Sequence, residues 1–488
     1  MGGGTRHRMM RIGLAYNRKP DAAPLLLSED SDGGGRADDE PPSKRRDTAS
    51  RTSHSPALAG EDAPASALPT SASPHPIHRS GPHAARSAPA ARAERDAPNA
   101  GAVGASLAPL PLPLPVPDDA YAEWDEEETI AAVEHALSAL GQVVRLEADA
   151  DFPMRLAASR PAIVFNMAEG WNGPNREAHV PAICEFYGIP YTASDPFTLS
   201  LCLDKAHTKT WLVAHGVPTA PFMLVRSTEE LAALRKRIAP TPHGENGRRE
   251  DAFMEHDTRA RALLRLPAFV KPVHEGSSKG ITERNFCRTA AECESQVAEL
   301  LERYRQPVLV EEYLPGAEFT CAILGNEPTA RVLPIVGMNF SALPEGALPV
   351  YGFEAKWLWD TPEHPLHMFE CPARIDEETY RRIERVALHA YRVLGCRDWA
   401  RVDVRLDAAG TPNVVEVNPL PGILPDPDNN SCFPKAARAA GMSYDELIRA
   451  CLMGAATRLG IEMPPPSVER AMHDGEMPAR ARRAAALG

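Results

Sequence analysis

The chain has 488 residues, of which 48 are proline, about twice the ordinary share, so length alone overstates how much of it folds. Its formal net charge of -13 excludes a general nucleic-acid binder, which needs a basic face, but leaves room for a local basic site that holds a small anion. Nine cysteines, an odd number without a C-x-x-C pair, and the lack of any apolar run near the roughly 20 residues of a membrane span point to a soluble cytoplasmic protein with reduced thiols and no membrane partner.

In chain order, the first apolar run, Arg11 to Tyr16, is expected to be a strand. Between Tyr16 and Tyr121 there is no aromatic residue, while 17 prolines fall between Pro20 and Pro117. Such a stretch cannot bury enough apolar area to offset the entropy of ordering its backbone. Residues 19–118 are therefore expected to be a disordered insert, and the tail 464–488 to behave alike. Helical spacing returns at Glu126 to Leu140, where Ile130, Val133, Leu137 and Leu140 share a face. The insert thus separates a strand from its helix. Strands at Val143 to Leu146, Ala162 to Asn166 and Ile189 to Thr192 then alternate with helices near Pro153 to Ser159 and Glu177 to Tyr187, a βαβ rhythm that implies a parallel sheet covered by helices.

A second unit opens at Asp195-Pro196, an N-cap followed by proline at the first helical position. It continues with a helix from Lys205 to His215, a strand from Thr219 to Val225, and a helix behind Ser227-Thr-Glu-Glu230, which reads as a capping box. Pro240 to about Arg259 reads as a mobile loop. A strand at Ala268 to Lys271 leads into Glu275 to Gly280, and Thr289 with Glu292 opens another helix. The last unit has strands at Val308 to Tyr313, Glu318 to Leu324, Thr329 to Pro334, Ala400 to Leu406 and Asn413 to Asn418, a helix from Glu377 to Leu394, and two closing helices, the second behind Ser443-Tyr-Asp-Glu446.

Three tracts carry chemistry. In Lys271-Pro-Val-His-Glu-Gly-Ser-Ser-Lys-Gly280 a lysine ends an apolar strand and a Gly/Ser loop follows, so backbone N–H groups and two ammonium charges can cradle phosphate; a polar hairpin turn would have the same composition. In Arg401-Val-Asp403-Val-Arg405 and Val415-Glu416-Val-Asn418, alternation along strands puts Arg401 with Asp403, and Glu416 with Asn418, on one face each. If those strands pair, Asp403, Glu416 and Asn418 make an oxygen set suited to Mg²⁺; a solvated Arg-Asp pair is the alternative. The third tract, Val308 to Leu314 followed by Glu318, reads either as a plain edge strand or as one that presents backbone to a base edge and Glu318 to a ribose.

The order of these tracts resembles the D-alanine--D-alanine ligase family of the ATP-grasp superfamily. The resemblance spans about residues 160–450 and rests on Leu203-Asp-Lys205, Val270-Lys-Pro272 with Glu275 to Ile281, Val310 to Leu314 with Glu318-Phe-Thr320, Glu354-Ala-Lys356, Arg401-Val-Asp403, Glu416-Val-Asn418 with Pro421-Gly422, and Ser431. It implies an α/β fold with a Rossmann-like pre-ATP-grasp domain at 9–193, a central ATP-grasp lobe at 194–310 and a catalytic lobe at 311–463. By the same resemblance Lys205 and Lys271 hold the α- and β-phosphates, and Glu275, Gly276, Ser277, Ser278 and Gly280 form a loop that closes over them. Glu311, with backbone of Glu312 and Leu314, reads adenine, Glu318 the ribose, and Lys356 the γ-phosphate. Asp403, Glu416 and Asn418 hold two Mg²⁺ ions, for which Mn²⁺ can substitute. Arg401 and the Gly422 amide face an oxyanion, with Ser277 acting beside them, and Ser431 takes the carboxylate of the second amino acid. The implied activity is an ATP-dependent acid–amino-acid ligase that makes a dipeptide for peptidoglycan, working as a homodimer on small molecules.

The likeness breaks at the first-substrate side. The family places a glutamate for the substrate ammonium in the loop after the first strand, and Asn17-Arg-Lys-Pro20 offers none. Its His-Gly motif is replaced by Asn166-Met-Ala-Glu-Gly170, from which Glu169 is the expected substitute ligand, while Arg176 suits a more acidic substrate. Trp357 stands where a tyrosine usually bonds the serine matching Ser277, and indole is a donor only. A ligase for another amino acid or peptide, or a nucleotide-binding regulator without turnover, are the alternatives these departures leave open. If the insert is a mere excursion, joining residue 20 to residue 118 by a short linker leaves ATP binding intact; loss of folded protein on gel filtration would overturn that.

Overall fold

A computed structural model describes residues 10–20, 121, 123–239, 264–344, 346–350, 352, 355, 359 and 366–465. The expectations for the insert, for the loop after Pro240, for nearly all of the tail, and for Glu354, Lys356 and Trp357 lie outside these residues.

The amino-terminal sheet has three parallel strands in the order Gln142–Glu147, Arg11–Tyr16, Ile163–Asn166, with Ile12 opposite both Val143 and Ile163. Its middle strand is buried on both faces, as helices on either side of a parallel sheet require. Packing at Gly13 is close: a Cβ there would meet Leu146 Cδ1 at 2.8 Å and the side chains of Pro161 and Val164 at 3.1 Å. The helices Glu127–Ser138, Phe152–Ser159 and His179–Tyr187 cover the sheet, and Tyr444–Leu459 returns from the far end of the chain to pack Leu447 and Leu452 into the core with Ile130 and Leu137. The expected strand at Ile189 to Thr192 shrinks to one bridge, Val164 to Tyr191. Pro190 has no N–H to give and Ala193 turns at φ 70, so the ladder cannot extend. Arg18 bridges to Asp125, the Asp125 N–H donates to the Asn17 carbonyl at 2.9 Å and the Lys19 N–H to the Asp125 carbonyl at 2.8 Å. The chain thus closes on itself across the insert.

The central sheet is antiparallel, in the order Phe222–Val225, Val308–Glu312, Ala268–Pro272, Phe286–Cys287. Val308–Glu312 therefore lies inside the sheet and is not the edge strand that one sequence reading allowed. Helix Ala290–Tyr304 opens with the expected Thr289/Glu292 capping box and packs Val297 and Leu300 on Val270 and Val310. The box expected at Ser227 does not form: a 3-10 turn, Thr228–Glu230, precedes the helix Leu231–Arg237, and Glu230 accepts instead from the Arg226 N–H at 2.8 Å. The tighter first turn puts the Ser227 hydroxyl out of register with the third helical amide.

The carboxy-terminal sheet runs Phe369–Glu370, Val336–Met338, Glu318–Leu324, Trp399–Leu406, Pro412–Asn418, all antiparallel. The strand expected at Thr329 to Pro334 contracts to Arg331–Val332, because a turn bonding Thr329 N–H to the Asn326 carbonyl at 2.7 Å takes its first residues. Helix Glu377–Val393 covers one face, with Ile383, Ala387 and Tyr391 against Val402 and Val404; Cys432–Ala439 covers the other, with Phe433 against Trp399. The Ser443/Glu446 capping box opens Tyr444–Leu459 as expected.

Asp398, fully buried at φ 64, ties these layers together. Its carboxylate accepts from the Ala193 N–H and from Asn326 Nδ2, both at 2.8 Å, and pairs with Arg458 at 2.9 Å. Removing it strands a guanidinium and two donors. Asp398→Ala is expected to cost about 3–5 kcal/mol, read from the urea midpoint at unchanged slope.

Candidate functional site

Helix Lys205–Ala214 begins with a lysine, the wrong charge for the positive end of a helix dipole, and repeats it one turn later at Lys209. Asp204 offsets the first by capping the His207 N–H at 2.8 Å. The two ammonium groups then reach two different sheets. Lys205 Nζ pairs with Glu416 at 2.9 Å and donates to the Glu275 carbonyl at 2.5 Å, while Lys209 Nζ pairs with Glu311 at 2.8 Å and donates to Thr219 Oγ1 at 2.6 Å. Lys271, on the strand beside Glu311, takes the other oxygen at 2.6 Å. Burial pushes the Glu311 carboxyl up, but Lys209 and Lys271 outweigh it and hold the group at about 2. Glu416 is likewise pushed up by burial and drawn down to about 2 by Lys205 and Arg401.

The strands Trp399–Leu406 and Pro412–Asn418 pair as the Mg²⁺ reading required, with Asp403 opposite Glu416 and Arg401 opposite Asn418. Asp403 accepts from Thr320 Oγ1 at 2.9 Å and pairs with Arg401 at 2.9 Å; burial raises its carboxyl, against Arg401. Asn418 Oδ1 accepts from the Leu420 N–H at 2.8 Å, which fixes the turn that follows. Among the described residues no three His, Cys, Asp or Glu side chains converge on a metal position. The donor set here is two carboxylates and one amide, all hard oxygens, which fits Mg²⁺ provided phosphate oxygens complete the shell.

Glu318 is paired with Arg405 at 2.8 Å, and Arg405 stacks on Tyr313 and donates to its hydroxyl at 2.6 Å. The Glu312 N–H donates to the Pro221 carbonyl at 2.9 Å, so the sheet already uses that amide. Ser431 donates to the Gly422 carbonyl at 3.0 Å and accepts from the Leu424 N–H, holding the two expected substrate residues in one loop.

In the Gly/Ser tract, Ser277 and Ser278 have φ 49 and 62, left-handed values that a non-glycine residue adopts at a cost. Lys279 closes the loop by pairing with Glu275 at 2.6 Å and with Glu123 at 2.8 Å. Glu123 is the residue that sequence reasoning missed. It lies where the chain returns from the insert, pairs with Arg176 at 3.0 Å, and sits so near Gly276 that a Cβ there would be 2.3 Å from its Oε1. A glutamate is therefore present in the loop after the first strand, on the far side of the insert, and reading that loop across the proline-rich stretch would have found it. Glu169 and Glu177 lie in the same cluster: burial raises Glu169 strongly, helped by Glu177 and Glu123, and burial carries Glu177 to about 7 against the pull of Arg176. Gly170 is fixed at φ 79 under the Arg176 carbonyl and donates its N–H to Asn17 Oδ1 at 2.7 Å.

The chain matches a family profile described as D-ala D-ala ligase C-terminus over residues 243–453. It is 34% identical over 295 residues to the uncharacterized Sinorhizobium fredii protein y4sG, covering 60% of this chain and 75% of that one. It is 34% identical over 305 residues to the D-alanine--D-alanine ligase of Bordetella pertussis, covering 62% and 81%. The crystal structure of D-alanine--D-alanine ligase from Bacillus anthracis complexed with ATP superimposes with a TM-score of 0.47 at 21% identity, covering 68% of this chain and 93% of that one. No helix among the described residues is long and apolar enough to cross a membrane.

The Glu311 carboxyl titrates at about 2 when folded against 4.5 otherwise, so its stabilisation is complete above about 4.5 and is lost as pH falls through about 2. The stability gap between the native chain and Glu311→Gln should narrow over that window in urea titrations; a gap independent of pH would refute it.

Proposed function

The chain belongs to the D-alanine--D-alanine ligase family of the ATP-grasp superfamily, a family of ATP-dependent ligases, and from that premise we propose that it joins two amino acids into a dipeptide through an acyl phosphate, with D-alanyl-D-alanine the product the family favours. The observation that carries the reading is the meeting of Lys205 and Lys271 with Glu416 and Glu311, beside the Arg401–Asp403 pair that faces Glu416. Such a set of exchangeable ion pairs is what a polyphosphate needs: each lysine gives up a carboxylate for phosphate oxygens without leaving a buried charge unpaired.

A carboxylate is a poor electrophile, so phosphorylation from ATP comes first; the second amino acid's amine then attacks and expels phosphate through a tetrahedral oxyanion. In this scheme Lys205 and Lys271 take the α- and β-phosphates, and the loop of Glu275, Gly276, Ser277, Ser278 and Gly280 closes over them to exclude water. Glu311, with backbone of Glu312 and Leu314, meets the adenine end, and Glu318, steadied by Arg405, meets the ribose. Asp403, Glu416 and Asn418 hold Mg²⁺, which when bound neutralises charge on the transferring phosphoryl group. Arg401 and the Gly422 amide face the oxyanion, and Ser431 the carboxylate of the second amino acid. The three units at 9–193, 194–310 and 311–463 form the proposed domain division.

Incubation with ATP, Mg²⁺ and pairs of D- and L-amino acids should release phosphate in step with a condensed product seen by mass. Asp403→Asn and Glu416→Gln should each lower turnover by at least about a hundredfold with circular dichroism unchanged. Bound nucleotide with no product from any pair would replace the ligase reading by that of a regulator.

A further inference from the structure

The loop that the ligase scheme lays over the phosphates needs support from outside itself. Ser277 and Ser278 both stand in the left-handed region, at φ 49 and 62, where a residue with a Cβ stays only if its surroundings hold it. The two ends of the loop are fixed beside the central sheet: the Glu275 carbonyl accepts from Lys205 Nζ at 2.5 Å and its carboxylate from Gln306 Nε2 at 2.7 Å, while the Gly280 carbonyl accepts from Asn285 Nδ2 at 2.7 Å. Its middle is held from the amino-terminal side. Lys279 Nζ, on a side chain only 7% exposed, meets Glu123 Oε2 at 2.8 Å, and Gly276 lies so close to Oε1 of the same residue that a Cβ would collide with it. Two contacts, one ionic and one steric, thus seat the loop on a single carboxylate.

That carboxylate has a firm footing. Next to it the Trp124 indole donates to the Gly170 carbonyl at 3.3 Å and packs on Trp171 and Tyr121, with ring centroids 4.7 and 4.9 Å away, and the Asp125 N–H bonds the Asn17 carbonyl at 2.9 Å. Each charge of the Glu123–Lys279 pair also has a second partner on its own side. Lys279 pairs with Glu275, four residues earlier in the loop, at 2.6 Å; Glu123 pairs with Arg176 at 3.0 Å. Burial pulls the Lys279 ammonium down, but Glu123 and Glu275 raise it above the ordinary amine range; burial pushes the Glu123 carboxyl up, but Arg176 and Lys279 hold it below the ordinary carboxylate range. A buried ion pair is expensive to break when one charge is left bare. Here lifting the loop leaves Lys279 with Glu275 and Glu123 with Arg176, so the contact can part and re-form.

We propose that Glu123 and Lys279 are positioning residues that form a reversible latch on the phosphate-covering loop, anchored where the chain returns from the proline-rich insert. The latch deepens the ligase reading, on which its consequence rests: a loop held shut keeps water from the acyl phosphate until the amine of the second amino acid attacks. With the loop loose, water attacks instead, and the acyl phosphate returns to carboxylate and inorganic phosphate without a dipeptide.

Hydrogen exchange on the full chain with ATP and Mg²⁺ reads the latch directly, and phosphate released per dipeptide formed reads its consequence. Lys279→Met and Glu123→Gln should each speed exchange of the amides from Gly276 to Ile281 by about tenfold, the size of one charge-assisted bond, with no further gain in the double variant, and Lys279→Arg should restore protection. Lys279→Met should also release at least about threefold more phosphate per dipeptide than the native chain. Unchanged loop exchange in Lys279→Met, additive effects in the double variant, or slower turnover at an unchanged phosphate ratio would overturn the latch. If Glu123→Gln also exposes the strand Arg11–Tyr16 to exchange, the two Lys279 variants decide, since Glu123 keeps Arg176 and Glu275 keeps Gln306 in both. Faster loop exchange in the variants together with no dipeptide from the native chain sinks the ligase reading and leaves the latch standing.

Discussion

Two ammonium groups and one carboxylate, Lys209, Lys271 and Glu311, are buried together, and the placement of the rest of the cleft follows from that burial. An unpaired ammonium or carboxylate in this position would cost several kcal/mol, so each partner holds the others in place. Because Lys209 stands one turn from Lys205, satisfying Glu311 in the central sheet aligns Lys205 with Glu416 in the carboxy-terminal sheet. One short helix therefore registers two sheets against each other through charge, with Thr219 carrying the link on to the Val414 carbonyl. The same pairing is what the proposed exchange of a carboxylate for phosphate oxygens draws on.

The amino-terminal side obeys a different constraint. Asn17, the Asp125 backbone and Gly170 are stitched by short hydrogen bonds where the chain leaves for the insert and comes back, and this closure delivers Glu123 to Gly276 and Lys279. Among the described residues no ion pair reaches the carboxylate of Glu169 or Glu177, although Arg176 draws both down against the burial that raises them.

Legibility followed how local the physics was. Arg401 with Asp403 and Glu416 with Asn418 could be read because a strand alternates every two residues and both strands had unmistakable apolar partners. The boxes at Thr289 and Ser443 formed because their third residue falls in an ordinary α-turn, whereas the same letters at Ser227 met a 3-10 turn and failed. Tyr191 and Arg331 sit in stretches of apolar and β-branched residues that propensity reads as strands, yet a proline, a turn and the available neighbours limited the pairing there. Glu123 was hidden because some hundred residues of proline-rich chain separate it from the strand whose loop it completes.

The sequence by itself determined most of the order of strands and helices, singled out Lys205 and Lys271, and indicated the paired acidic strands, since these rest on periodicity and on residue chemistry carried by short tracts. Only the tertiary structure decided which charges neutralise which: that Arg176 pairs with Glu123, that Glu311 is shared by Lys209 and Lys271, and that Lys205 meets Glu416 across two sheets. Charge pairing acts through space over a few ångströms and across long stretches of chain, so no spacing along the sequence encodes it.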